Sequence, residues 1–237
     1  MTHDSLQAVL FDMDGLLIDS EPLWFEVETD IMTRLGGVWT PADQQALLGS
    51  ALDPAVRYFL ERARVPADPA EVREWMVGGI VAKVLEHGVK IMPGAAELVA
   101  AVDASGLPYA LVTSSRRRFV DAVLAQTGLR FPVIVTGSDV SRGKPDPEPY
   151  LLATRRLNVP PPSCLVLEDS STGVTAAEAA GCFVVAVPTL NHIEPRPGRW
   201  VRQSLPGIDV DWLRDAWAQG HRATPPLIGG LSPQFVR

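Results

Sequence analysis

Two rhythms of apolar and polar positions run along this chain. The first is a set of short, nearly unbroken apolar runs: "AVLF" (8–11), "YALVT" (109–113), "PVIVT" (132–136), "CLVLE" (164–168) and "FVVAV" (183–187). They are too short for helices and rich in β-branched residues, so they predict strands. The second rhythm has helical spacing, as in residues 95–105, 116–128 and 148–158, the last expected to end near the "VPPP" run at 159–162. Strands that are apolar throughout must be buried on both faces. Alternating with helices, they predict an α/β fold: a doubly wound parallel sheet covered on both faces.

One interval breaks the alternation. Residues 19–91 contain no convincing strand and read as helices near 22–35, 41–48, 53–64 and 69–87. Asp53-Pro54 and Asp68-Pro69 have the form of an acidic cap followed by proline in the first turn. "GVKIMPG" (88–94) reads as the return to the α/β part. The chain is therefore expected to carry an α-helical domain, 19–91, inserted after the first strand into a core made of 1–18 and 92–221. "DVDWLRDAWAQ" (209–219) predicts a last helix, and 222–237 reads as a C-terminal tail. There is no internal repeat.

Composition narrows this picture only modestly. At 237 residues, with 46% hydrophobic and 21% charged, the chain suits one large domain or two unequal ones. A net charge of -7 argues against nucleic acid as a partner, since phosphate backbones are bound by basic surfaces. No apolar run approaches the roughly 18 residues that suggest a membrane span. "MTHDSLQ" lacks the basic and apolar regions of a signal peptide. Cys164 and Cys182 both lie in apolar runs, which predicts small buried hydrophobes rather than a disulfide and makes the cytoplasm the expected compartment. His3, His87, His192 and His221 are too scattered for a zinc site.

In a doubly wound sheet, ligands bind beyond the carboxyl ends of the strands. The residues that follow each apolar run are therefore the candidates. Asp12 and Asp14 follow the first, and Thr113 ends the second, with Ser114 and Ser115 behind it. Lys144 stands in the loop "RGKPDPEPY", and the fourth run delivers Glu168 and Asp169. The carboxylates are hard oxygen ligands that suit Mg²⁺. Thr113 and the amides after it can donate to phosphate oxygens, and Lys144 adds a point charge. One aspartate can attack phosphorus while another serves as acid and base.

The ordered set "FDMDG", "LVTSS", "GKPDP" and "VLEDSSTG" resembles the haloacid dehalogenase-type phosphohydrolase superfamily, with motifs spanning residues 11–173. A lone DxD is a weak signal, whereas four motifs in this order are a strong one. The resemblance implies a Rossmann-like fold, and a helical cap in the subgroup with an insertion after the first motif. It implies Asp12 as the nucleophile that becomes an aspartyl phosphate, and Asp14 as general acid and base. Thr113 and Lys144 would hold the phosphoryl group, with Ser114 offering its backbone N–H. Asp169, the Asp12 carboxylate and the Asp14 carbonyl would ligate Mg²⁺, with Glu168 as a ligand or an acid just behind the ligands. Arg116 stands where related mutases carry a phosphate-binding lysine, which makes it a candidate contact to substrate phosphate.

Residue types set several relatives aside. Dehalogenases and phosphonatases lack the second aspartate of the DxD, and the cap lysines Lys83 and Lys90 have no supporting pattern for a Schiff base. Beta-phosphoglucomutase shares the motifs and the cap. The cap positions where it has histidine and arginine correspond here to Trp24 and Leu52. "DMDGLLIDSEPLW" instead resembles bacterial phosphatases of hexose, hexitol and deoxy-sugar phosphates. A Mg²⁺-dependent phosphatase of small phosphate monoesters is therefore expected, with a hexose phosphate mutase as the alternative. A phospho-receiver signalling module is a further alternative, disfavoured by the position of Asp12 and by the large insert. The expected partner is a small phosphorylated metabolite. A monomer is expected, with a dimer as the alternative.

Overall fold

A computed structural model of the chain describes residues 5–47, 49–189 and 192–223. Its centre is a six-stranded sheet formed by β1 (Ala8–Phe11), β4 (Tyr109–Val112), β5 (Val133–Val135), β6 (Cys164–Glu168), β7 (Phe183–Ala186) and β8 (Arg199–Val201). The order is β5-β4-β1-β6-β7-β8 and every pairing is parallel. From β1 the chain builds outward through β4 and β5, then crosses back to β6 on the other side. The pair β1/β6 is thus where the winding reverses, which is where such sheets open a crevice.

Strand alternation explains why β1 is apolar throughout. Val9 and Phe11 point into one core, and Ala8 and Leu10 into the other. Helices α5 (Ala95–Ala104), α6 (Arg117–Thr127) and α9 (Val210–Ala223) contribute to the first core, and α7 (Glu148–Leu157) and α8 (Ser171–Ala179) to the second. The strands β1, β4, β6 and β7 are buried at every position, as both-face burial requires. Cys164 and Cys182 are buried free thiols, as their apolar surroundings predict.

The cap comprises α1 (Glu21–Arg34), α2 (Pro41–Leu47), α3 (Leu52–Arg62) and α4 (Pro69–His87). Asp68 caps α4 through the Ala70 amide at 2.6 Å, with Pro69 at the first helical position. Asp53 departs from the expected pattern. Helix α3 already begins at Leu52, and Asp53 is inside it, paired with Arg73 at 2.8 Å.

Two further departures involve strands. The interval expected to be strand-free is bounded by a ribbon of β2 (Ile18–Asp19) and β3 (Lys90–Ile91), paired antiparallel. This ribbon ties the two crossings into and out of the cap together. The Pro- and Arg-rich region after residue 188 supplies the sixth strand, β8, which is only half-buried. Helix α9 reaches Ala223, so it runs past the end expected for the core; the remainder of the expected tail, 224–237, lies outside the described residues. Leu48, expected in the second cap helix, also lies outside them.

Candidate active site

Each expected residue is delivered by the end of a strand or the loop after it. Register places Phe11 beside Leu167, and the Asp12 amide donates to the Leu167 carbonyl at 3.1 Å. Asp12 and the pair Glu168-Asp169 therefore leave the sheet side by side. One carboxylate oxygen each from Asp12, Glu168 and Asp169 lies within 4.8 Å of the others.

Lys144 links this group together. Its Nζ donates to Asp12 Oδ1 at 2.5 Å, to Glu168 Oε1 at 2.7 Å and to the Val112 carbonyl at 2.9 Å. All three ammonium protons are thereby used. Lys144 is only 6% exposed. Burial opposes its charge, but Asp12 and Glu168 outweigh burial and keep the ammonium protonated well above the ordinary lysine range. The Tyr150 ring lies 5.0 Å from Nζ.

Glu168 is fully buried and its acceptors are occupied. Lys144 and the Tyr150 hydroxyl (3.2 Å) share Oε1, and the Ser170 amide (2.8 Å) and hydroxyl (3.0 Å) share Oε2. It lies against the first turn of α8, where a Cβ on Gly173 would fall 1.5 Å from Oε1. Glycine at 173 is therefore the condition for Glu168 to sit there. Gly15 plays the same part for Asp169. It has φ +80°, and a Cβ would fall 2.1 Å from Asp169 Oδ2. Asp169 Oδ2 also accepts from the Thr189 hydroxyl at 3.1 Å.

Asp14 stands apart from Lys144 and is surrounded by hydroxyls. It accepts from Ser20 (2.7 Å), Ser115 (2.7 Å) and Thr113 (3.3 Å). Thr113 in turn accepts from the Ser115 amide at 3.0 Å. Sequence reasoning passed over Ser20 and gave Ser115 no role of its own, because an uncharged hydroxyl carries little pattern. Ser20 occupies the cap position of α1 without capping it, since its hydroxyl donates to Asp14.

The charges do not balance. Asp12, Asp14, Glu168 and Asp169 face one lysine. Burial first, then the neighbouring acids, pushes the Asp12 and Asp169 carboxyls well above the usual carboxylate range, against the opposing pull of Lys144. A cluster of hard oxygen donors with surplus negative charge fits a divalent cation such as Mg²⁺, which binds oxygen and would relieve this repulsion.

Above the site lies a cavity roofed by the cap. Asp12, Asp14, Thr113, Ser114, Lys144 and Asp169 line its floor. Trp24 and Leu52 line its roof, and the Trp24 ring meets Phe119 of the core edge-on at 5.6 Å. Arg116 also lines the cavity and donates to the Gly137 carbonyl at 2.8 Å. Its neighbours turn elsewhere: Arg117 pairs with Asp121, and Arg118 with Glu74 of the cap.

Comparison with known proteins gives consistent findings. The family described as haloacid dehalogenase-like hydrolase matches residues 9–187. The chain is 36% identical to a protein named probable pseudouridine-5'-phosphatase from Drosophila melanogaster, over 76% of this chain and 80% of that one. It is 35% identical to the phosphorylated carbohydrates phosphatase of Thermotoga maritima, over 74% of this chain and 82% of that one. Its fold is similar to the crystal structure of CbbY from Rhodobacter sphaeroides in complex with phosphate. That match has a TM-score of 0.78 and 28% identity, and covers 88% of this chain and 99% of that one.

Proposed function

The chain belongs to the haloacid dehalogenase-like hydrolase family, and from that premise we propose that it is a Mg²⁺-dependent phosphatase of small sugar or polyol phosphates. One observation carries the reading. Asp12 is held by Lys144 through Oδ1 alone, while Asp14 beside it is held by hydroxyls and not by a cation. That is the division of labour expected of a nucleophile and its acid-base partner. Relatives named as phosphatases support the same reaction class.

Asp12 uses its second oxygen to attack phosphorus as the ester bond breaks. The departing oxygen takes a proton from Asp14, leaving an aspartyl phosphate on Asp12. Asp14 then takes a proton from a water whose oxygen attacks that phosphorus. Inorganic phosphate leaves and the Asp12 carboxylate is restored. Thr113, the Ser114 backbone and Lys144 position the phosphoryl group, and Arg116 reaches it from the cavity wall. Asp12, Asp169 and the Asp14 carbonyl would hold Mg²⁺, which neutralises charge on the phosphate when bound. Glu168, with its oxygens already partnered, serves by fixing Lys144.

The mutase alternative requires a grip on a second phosphate. Among the described residues lining the cavity, the cations are Lys144 and Arg116, and both come from the core. A phospho-receiver module is set aside by the family assignment and by the helical insert.

The test is phosphate release from a panel of sugar, polyol and nucleotide monophosphates, in Mg²⁺ and in EDTA. Release is expected in Mg²⁺ only, and Asp12→Asn is expected to reduce kcat by about 10³-fold or more. Failure to release phosphate from any substrate would refute the reading. Interconversion of hexose 1- and 6-phosphates without net release would assign a mutase instead.

A further inference from the structure

The cap end of the cavity has a chemistry of its own. Two acids of α1, Glu21 and Glu28, line it beside Gln44, surrounded by the apolar Trp24, Leu47 and Met76. The two glutamates are seven residues apart, two turns of one helix, and so share a face. Glu28 is only 6% exposed. Its Oε2 accepts from the Trp39 indole at 3.1 Å. Trp39 is itself fixed, stacked on the fully buried Phe59 at 4.6 Å. Oε1 has no hydrogen-bond partner among the described residues and belongs to a side chain that lines the cavity. Glu21 is arranged similarly: Gln44 donates to its Oε2 at 3.1 Å and to its backbone carbonyl at 3.0 Å.

We propose that Glu28 is a specificity-determining residue. Its free carboxyl oxygen bonds a hydroxyl of an uncharged leaving group, at an end of the cavity whose described residues offer a second phosphate no cation. This rests on the phosphatase reading above. A buried side chain held by a locked indole is oriented before substrate arrives, so little ordering is needed on binding. No cation of the cap lines this end of the cavity among the described residues, so a second phosphate would meet acids and apolar surface. A polyol chain or sugar ring meets partners suited to it: carboxyl oxygens for its hydroxyls and Trp24 for its C–H face. Burial, reinforced by Glu21, pushes the Glu28 carboxyl up to about 8, so near neutral pH it can donate as well as accept.

The experiment compares kcat/KM of the full chain in Mg²⁺ for three probes: sorbitol 6-phosphate, para-nitrophenyl phosphate and glucose 1,6-bisphosphate. The aryl ester, whose leaving group carries no aliphatic hydroxyl, reports the phosphatase chemistry itself. The ratio of the sorbitol ester to the aryl ester reports the proposal. Glu28→Leu is expected to lower that ratio at least ten-fold, chiefly through KM, while Glu28→Gln, which keeps the hydrogen-bonding shape, lowers it less. The wild-type chain is expected to disfavour the bisphosphate at least ten-fold against the sorbitol ester. An unchanged ratio in both variants, or equal use of the bisphosphate, would overturn the proposal with the phosphatase reading intact. Absence of release from every probe, the aryl ester included, would overturn the phosphatase reading and the proposal with it.

Discussion

At the scale of single residues, Lys144 carries the most consequence. It is a buried cation whose three donors bond two carboxylates and a carbonyl. Removing one partner of a buried ion pair leaves the other charge uncompensated. Lys144→Met is therefore expected to abolish turnover and also to destabilise the chain by about 3–5 kcal/mol, read by urea unfolding. An active-site lysine that served catalysis alone would lose the first without the second. Asp12, Asp14, Lys144, Glu168 and Asp169 were legible in the sequence because each is a charge set directly behind an apolar run or in a marked loop. Ser20, and the role of Ser115, were not. Their importance lies in donating to Asp14, across 6 and 101 residues of chain respectively, and hydroxyls in loops are too common to stand out.

At the scale of elements, legibility followed the density of apolar residues. β1, β4, β6 and β7 are buried on both faces and were plain as apolar runs. β8 is an outer strand, half-buried and three residues long, in a stretch dominated by arginine and proline, so no hydrophobic period marks it. β2 and β3 are two residues each, below the length at which alternation can be read. Helix α1 shows what periodicity alone misses. Its buried stripe of Leu23, Val27 and Ile31 includes the acid Glu28, which burial holds protonated up to about pH 8. An acid raised on folding adds no penalty below its ordinary value of 4.5, and its contribution to stability falls as pH climbs from there to about 8. Glu28→Gln mimics the protonated form. Its Tm is expected to exceed that of the wild type at pH 8, with the difference closing towards pH 5. A difference independent of pH would mean that Glu28 does not titrate in this window.

At the scale of the whole molecule, the cap and core meet across the cavity through Trp24 on Phe119, Glu74 with Arg118, and the Gly49 carbonyl accepting from Thr172 at 3.2 Å. The donors proposed for Mg²⁺ come together only in the folded chain, so the ion should stabilise it by mass action. At a hundred times its dissociation constant, the gain is about 2.7 kcal/mol. For a chain of this size, that corresponds to a rise in Tm of roughly 5–10 °C. Asp169→Asn is expected to reduce the rise sharply. Because burial and neighbouring acids raise the Asp12 and Asp169 carboxyls, the ion must displace protons from them, and the rise should shrink as pH falls. Equal rises in Asp169→Asn and wild type would place the ion elsewhere.

The strand order also has a consequence for the ribosome. β1 is made before the other described strands, yet its neighbours are β4, near residue 110, and β6, near residue 165. The four cap helices between them are one contiguous stretch and can begin folding during translation. β1 must wait with one edge unpaired until β4 is made and with the other unpaired until β6 is made, a hazard for sticking to other strands. The two aspartates and the glycine that follow it place charge and a turn at the end of that waiting strand. The residues proposed for chemistry in the finished protein would thus also discourage the nascent chain from pairing wrongly.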